Sequence, residues 1–155
     1  MAGKGTPAIA AVERAGIQYR VHAYVHHPGA TSYGLEAAER LDVEPARIFK
    51  TLIVTVDGTP LTAIVPVEDE LDLRALGKRA ALAPAAEAER LTGYVTGGIS
   101  PMGQRRPLPT VLDDSALAFE TIFVSAGRRG LEIELAPDDL VRLTDARVAA
   151  VASGA

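Results

Sequence analysis

The chain has 155 residues, of which 48% are hydrophobic and 23% charged, enough apolar material for one globular domain over residues 1–155 with a real core. It has no cysteine, which removes disulfides, thiolate metal sites and a cysteine nucleophile. There is no run of about 18 apolar residues and no basic segment followed by an apolar one at the N-terminus, so neither a membrane span nor a secretory signal is expected and the protein reads as cytoplasmic. A formal net charge of −4 argues against a sequence-blind nucleic-acid coat and against DNA as a partner. Lys50, Lys78, Arg79, Arg105, Arg106, Arg128 and Arg129 could still gather into a local basic patch.

In chain order, Thr6-Pro7 followed by AIAAVERAG predicts a helix capped by Thr6, opened by Pro7 and stopped at Gly16. Ile17 to Tyr24 alternates and predicts a half-buried strand, with Ile17, Tyr19, Val21 and Ala23 on the apolar face and Gln18, Arg20, His22 and Tyr24 on the polar one. VHHPGATSYG is a turn-rich loop bracketed by Tyr24 and Tyr33, and GLEAAERL a short amphipathic helix entered near Ser32. Glu44 to Arg47 makes one helical turn before the strand IFKTLIVTV, which pairs through Asp57-Gly58 with PLTAIVPV as a hairpin. Lys50 shares a face with Leu52, Val54 and Val56, which leaves two readings: a lysine reaching solvent from a strand end, or an ammonium group presented to a site.

Leu71 to Ala81 reads as a helix capped by Asp72, and PAAEAERLTG as another that ends at Gly93. LPTVLD, TIFVSAG and LEIEL read as strands, GRRG as a tight basic turn, PDDLVRLTD as a closing helix, and ARVAAVASGA as a tail that frays at its end. Helices and strands mix without regular alternation, so the fold class expected is α+β with a mixed, barrel-like β-sheet core flanked by helices.

The densest signal is TGYVTGGISPMGQRRPLPTVLDDS, Thr92 to Ser115, which crowds Gly93, Gly97, Gly98 and Gly103 and three prolines around Ser100, Arg105 and Arg106. Glycines admit a ligand close to the backbone and prolines hold a loop open, but a long surface connection has the same composition. Three familiar chemistries are disfavoured. The histidines His22, His26 and His27 have no metal-ligand spacing, so no metal is expected. Ser100 is not in a G-x-S-x-G elbow, and the glycines fit neither a P-loop nor a dinucleotide fingerprint. What remains suits stabilising an oxyanion and binding phosphates rather than supplying a nucleophile.

IFKTLIV, TGYVTGGISPMGQRRPLPTVLD and IFVSAGRRGLEIEL together resemble the YbaK family, the free-standing relatives of the editing domain inserted in bacterial prolyl-tRNA synthetases. The resemblance runs from TPAIAAVERAGIQYRVHAY to DLVRLTDA, and is strongest to the Cys-tRNA(Pro) deacylases. It implies a mixed sheet flanked by helices, a cleft beside GGISP, and removal of cysteine from mischarged tRNA(Pro), possible also for Cys-tRNA(Cys), with no cofactor. Cysteine and proline are close in size, and a methylene or so gives only about 10- to 200-fold discrimination, so a second sieve has a purpose. The implied route uses the substrate's own thiol, which attacks its carbonyl and leaves as a cyclic thiolactone. The implied partners are aminoacyl-tRNA and prolyl-tRNA synthetase.

By the same resemblance, Lys50 contacts the terminal phosphate or ribose, and Gly97, Gly98, Ile99 and Ser100 offer N–H groups and a hydroxyl to the carbonyl oxygen. Tyr24, Tyr33, Thr51 and Pro101 line the substrate pocket, and Arg105, Arg106, Arg128 and Arg129 contact tRNA phosphates. Glu132 stands where close relatives have aspartate, one methylene longer. A hydrolytic Ala-tRNA(Pro) deacylase and a non-catalytic module that binds aminoacyl-tRNA or the synthetase are the alternatives.

Overall fold

The computed structural model describes residues 5–29 and 32–154; Ala30 and Thr31 of the VHHPGATSYG loop and the last tail residue, Ala155, lie outside them. Helix α1 (Pro7–Arg14) begins as its sequence predicts: the Thr6 hydroxyl accepts the Ile9 N–H at 3.1 Å and itself donates to Ala126 O at 2.6 Å, which ties the cap to the sheet. Ala8, Ile9 and Val12 form its buried stripe. Helix α2 (Tyr33–Leu41) is capped by Ser32, whose hydroxyl accepts from Leu35 N–H. Helix α3 (Ala85–Thr92) follows Pro84 and stops at Gly93, which takes a φ of +83° that suits glycine.

Strands β2 (Phe49–Val56) and β3 (Thr59–Pro66) form the expected hairpin, paired from Phe49 with Pro66 to Val56 with Thr59, and Asp57 and Gly58 turn with positive φ. Around it, β5 (Ala80–Leu82), β6 (Thr110–Asp113) and β9 (Arg147–Ala149) complete a mixed five-stranded sheet in the order β5-β2-β3-β6-β9. A second, antiparallel sheet has the order β1-β8-β7, from β1 (Tyr19–Ala23), β7 (Ile122–Arg128) and β8 (Leu131–Leu135). The main core lies between the two sheets, where Phe49, Ile64 and Leu112 meet Val124, Ile133 and Leu135 under α1 and α4 (Pro137–Thr144).

The architecture is α+β with mixed sheets, as expected, but no barrel closes. The two sheets meet through one bridge, Ile48 with Phe123, and part beyond it. That parting creates the room for a cavity beside β2.

Three further expectations are corrected. Leu71 to Ala81 is not a helix: it gives β4 (Glu70–Leu71), a 3₁₀ turn at Leu73–Ala75 and then β5. Asp72 does cap, accepting the Arg74 N–H, but Gly77 at φ +150° stops propagation, and Leu71, Leu73 and Leu76 all pack around Val54 by turning rather than by helical period. The tail does not fray within the described residues. Its segment forms β9 and β10 (Ala152–Ser153), the latter paired with β4, and Asp113 Oδ1 accepts the N–H groups of Val151 and Ala152 at 2.9 Å each.

The faces of β1 are also not as predicted. Val21 is 40% exposed, whereas His22 packs on Phe123 with ring centroids 5.1 Å apart and Tyr24 joins the cluster around Ile48. Glu134 supplies the reason, since its Oε1 lies 2.9 Å from His22 Nε2 and a paired imidazole can be covered. The main core reaches Tyr19 but not Val21.

Candidate active site

Strand β5 pairs with β2 only from Val54 to Val56, and Ala83 N–H donates to Ile53 O just past it. Backbone groups alternate sides along a strand, and Ile48 O faces β3, where it accepts the Val67 N–H. The N–H and C=O of Thr51 therefore point to the side that β5 does not reach. A cavity of about 420 Å³ opens along this bare edge, between β2, the start of α2, α3 and the turn from Tyr94 to Ile99. Its apolar wall comes from Ile48, Phe49, Val67 and Ala88.

Three strands bring polar residues to that volume: Lys50 and Thr51 of β2, Ser125 of β7 and Glu132 of β8. Ser125 and Glu132 are cross-strand partners, so their approach is set by sheet register. Glu132 is only 8% exposed, and its carboxyl makes no hydrogen bond or ion pair among the described residues. Burial pushes its carboxyl up to about 8. The Thr51 hydroxyl is buried and also has no partner among the described residues. Two unpartnered polar groups on one small cavity are what a bound polar ligand would satisfy. Tyr24 stands outside the lining, half-buried; burial first, then the charges of Glu132 and Glu36, push its phenol up to about 12.

The glycine-rich turn forms the opposite wall. Gly97 and Ile99 line the cavity, and their N–H groups make no hydrogen bond among the described residues. The Gly98 N–H is taken by Val95 O at 2.8 Å. A Cβ on Gly98 would lie 2.9 Å from the Arg128 Cα, so the missing side chain lets the turn sit against the β7–β8 connection. Ser100 and Pro101 are buried behind this wall and do not line the cavity. The Ser100 hydroxyl accepts the Met102 N–H, and its carbonyl accepts from Gln104 Nε2 at 3.1 Å, which anchors the turn from below.

Of the four arginines read from the sequence, only Arg128 and Arg129 adjoin the cavity mouth. Arg129 Nε donates to Thr96 O at 2.8 Å, and its guanidinium lies 4.9 Å from the centre of the Tyr33 ring. Arg128 is exposed. Arg105 and Arg106 lie farther along the loop; Arg105 reaches back to Arg90 O beside Gly93. Arg79, from the wider set of cations, pairs with Asp57 at the hairpin turn. On the other side of Tyr33's neighbourhood, His26 packs on its ring at 5.4 Å and pairs with Glu36, which also accepts the His27 N–H.

Ser125, Thr96, Glu36 and Glu89 were not singled out from the sequence. Glu89, which accepts both the N–H and the hydroxyl of Thr96, sits seven residues before it, a spacing with no recognisable motif. Ser125 was legible only as a polar residue on the same strand face as Phe123.

A broader groove of about 910 Å³ lies at the far end of the same sheet face, near Tyr19, Phe119, Arg47 and Glu134. It offers less chemistry. The Arg47 guanidinium is engaged by Thr121 and Glu134, and Glu134 is satisfied by His22, Thr121 and Arg47. Among the described residues no cluster of three or more His, Asp or Glu side chains is arranged to hold a metal ion.

Residues 27–143 match the aminoacyl-tRNA editing domain family, a span that holds every cavity residue named above. An Enterococcus faecalis protein named "Putative Cys-tRNA(Pro)/Cys-tRNA(Cys) deacylase EbsC" is 36% identical over 94% of this chain and 92% of its own length. A proline–tRNA ligase of Maridesulfovibrio salexigens is 32% identical over 61% of this chain, which corresponds to 17% of that much longer protein. A solved structure described as a "putative trans-editing enzyme for prolyl tRNA synthetase" superimposes with a TM-score of 0.80, at 28% identity, over 97% of this chain and 99% of that one. With the editing-domain match covering most of its length and the two-sheet fold shared end to end, the chain belongs to the YbaK family of aminoacyl-tRNA editing domains.

Proposed function

We propose that this chain, acting as one domain over residues 1–155, removes cysteine from mischarged Cys-tRNA(Pro). The observation that carries the reading is the cavity at the bare edge of β2, which combines a cation, an unpartnered buried carboxyl and unbonded peptide N–H groups without an activated nucleophile. An aminoacyl ester presents the complement of each: a terminal phosphate and ribose, an α-ammonium group and a carbonyl oxygen. Lys50 holds the terminal nucleotide. Glu132 receives the α-ammonium group, whose charge draws the carboxyl into its ionised form. Gly97 and Ile99 face the carbonyl oxygen as negative charge builds on it. Ser100 and Pro101 hold the turn that presents those donors, and Thr51 offers its edge and hydroxyl to the aminoacyl group.

Chemistry then needs only the substrate's thiol. A free thiol, with a pKa of about 8.5, is a few per cent thiolate near neutrality, and confinement against its own carbonyl raises its effective concentration. The thiolate forms a C–S bond to the ester carbon, the C–O bond to the terminal ribose breaks, and the ribose oxygen takes a proton. The products are a four-membered thiolactone and free tRNA. The likeness to the Enterococcus faecalis protein named for Cys-tRNA(Pro) and Cys-tRNA(Cys) supports the choice of cysteine. The prolyl-tRNA synthetase association is supported by the match to part of a proline–tRNA ligase.

The purified protein mixed with Cys-, Ser- and Ala-tRNA(Pro) should release cysteine alone, with thiolactone trapped before it opens. Ser-tRNA(Pro) cleaved as fast as the cysteine ester would overturn substrate-thiol attack. One observation favours a second reading: Glu132 is a carboxyl that lines the cavity with no side-chain partner among the described residues, and its ionised form takes a proton from an attacking water, which makes a hydrolytic Ala-tRNA(Pro) deacylase. Alanine release without thiolactone would select it. Binding of all three esters with no release would select a non-catalytic module.

A further inference from the structure

Arg129 looks at first like one more phosphate contact at the mouth of a tRNA-binding site. Its surroundings give it another task. Its Nε–H is already committed to Thr96 O at 2.8 Å, so the edge that would grip a phosphate oxygen through Nε and Nη together is occupied. The plane of the guanidinium is committed as well, lying 4.9 Å from the centre of the Tyr33 ring. Thr96 is fixed from its other side by Glu89, whose carboxylate accepts its N–H at 2.8 Å and its hydroxyl at 2.9 Å. Gly97 completes the arrangement. With φ at +88°, a Cβ there would lie 2.7 Å from Arg129 Nε and 2.8 Å from the Tyr33 ring, so only glycine allows the three residues to interlock. Arg128, the adjacent arginine, is exposed, and its side chain makes no hydrogen bond or ion pair among the described residues.

We propose that Arg129 is a positioning residue that locks Tyr33 to the Thr96–Gly97 turn at the mouth of the cavity, and that Arg128 next to it is the phosphate contact. The proposal rests on the deacylase reading and names which of two neighbouring arginines sets cavity geometry. Tyr33 and Gly97 both line the cavity, on different elements, and Arg129 is the group that bridges them. Without that bridge the N-terminal turn of α2 and the glycine turn can move apart, and the ester loses its alignment while its charge-driven capture persists.

Lysine in place of arginine separates the two roles, because it keeps the charge and loses both the planar stack and the Nε donor. Arg129→Lys should lower kcat by about tenfold, the order expected when an oriented contact is lost, and leave the salt dependence of KM unchanged. Arg128→Gln should instead flatten the salt dependence of KM by about 0.7 in log–log slope, one phosphate's share for a single strand. A double-mutant cycle of Arg129→Lys with Tyr33→Leu should be non-additive, because both changes break one contact. Full activity in Arg129→Lys, or a salt slope that falls in Arg129→Gln as it does in Arg128→Gln, would overturn the proposal. A wild-type protein that releases no amino acid from any ester would instead overturn the deacylase reading. The lock is then read directly by NMR: the Arg129 Nε–H should exchange slowly and carry a ring-current shift that vanishes in Tyr33→Leu, and a fast-exchanging, unshifted Nε–H in the unmodified protein would overturn it.

Discussion

Glu132 couples the cavity to pH. Burial raises its carboxyl from 4.5 in the unfolded chain to about 8, so between those values the folded protein holds a proton that the unfolded chain has released. The stability linked to this group is fully present below 4.5 and is lost as pH rises through 8, with a ceiling on the order of a few kcal/mol. Urea unfolding of Glu132→Gln at a series of pH values should show a flatter profile over that window than the parent. A profile of equal slope would mean that the carboxyl is hydrated and unshifted. Lys50 behaves differently because it is half-buried and its side chain makes no hydrogen bond or ion pair among the described residues. Lys50→Ala should keep the melting temperature while lowering ester cleavage by about 10² or more, measured as amino-acid release. At this scale the sequence pointed to the segments that line the cavity and was poor about orientation. Lys50 on an apolar strand face and glycines around Ser100 were visible, but whether Ser100 faces the cavity depends on Gln104 and Met102, which sequence spacing does not connect to it.

Among the elements, those with strong local signals formed where the sequence placed them. Thr6-Pro7, Asp57-Gly58 and Gly93 are caps and turns whose backbone geometry is set by the residues themselves. The 71–81 segment and the tail were misread because their structure comes from partners remote in sequence. β4 and β10 exist only by pairing with each other, and β9 only beside β6. Asp113 is the residue that fastens this closure. Its carboxyl is desolvated, but bonds from Ser115, Val151 and Ala152 hold it below the usual carboxylate range, so the closure is strongest above that range and weakens in acid. Asp113→Ala should cost about 2–4 kcal/mol by leaving three N–H groups, those of Ser115, Val151 and Ala152, without an acceptor, and hydrogen exchange should accelerate first at Val151 and Ala152. Uniform acceleration across the chain would show that the tail is not a separate unit.

For the molecule as a whole, charge distribution matters more than charge balance. The protein is net negative at −4, yet Arg105 and Arg106 on the glycine-rich loop and Arg128 on the β7–β8 connection packed against Gly98 are all exposed. If these three engage the acceptor end of a tRNA, the log of kcat/KM should fall with log salt at a slope of about −2, near −0.7 for each phosphate contacted. A slope near zero would place the tRNA elsewhere. The α+β class with mixed pairing was legible from hydrophobic alternation and turn residues, but the division into separate sheets that do not close was not. It follows from one bridge, Ile48 with Phe123, and from a β5 too short to cover β2.

That shortness has an evolutionary edge to it. An uncovered strand border is a template for any extended chain, and proteins ordinarily blunt such borders to avoid clumping. Here the border at Thr51 stays bare, and residues of α3 and of the glycine turn line a cavity of about 420 Å³ beside it. A longer β5 would make a tidier and more aggregation-proof sheet, and it would fill the cavity. The structural hazard and the candidate site are the same few ångströms of backbone.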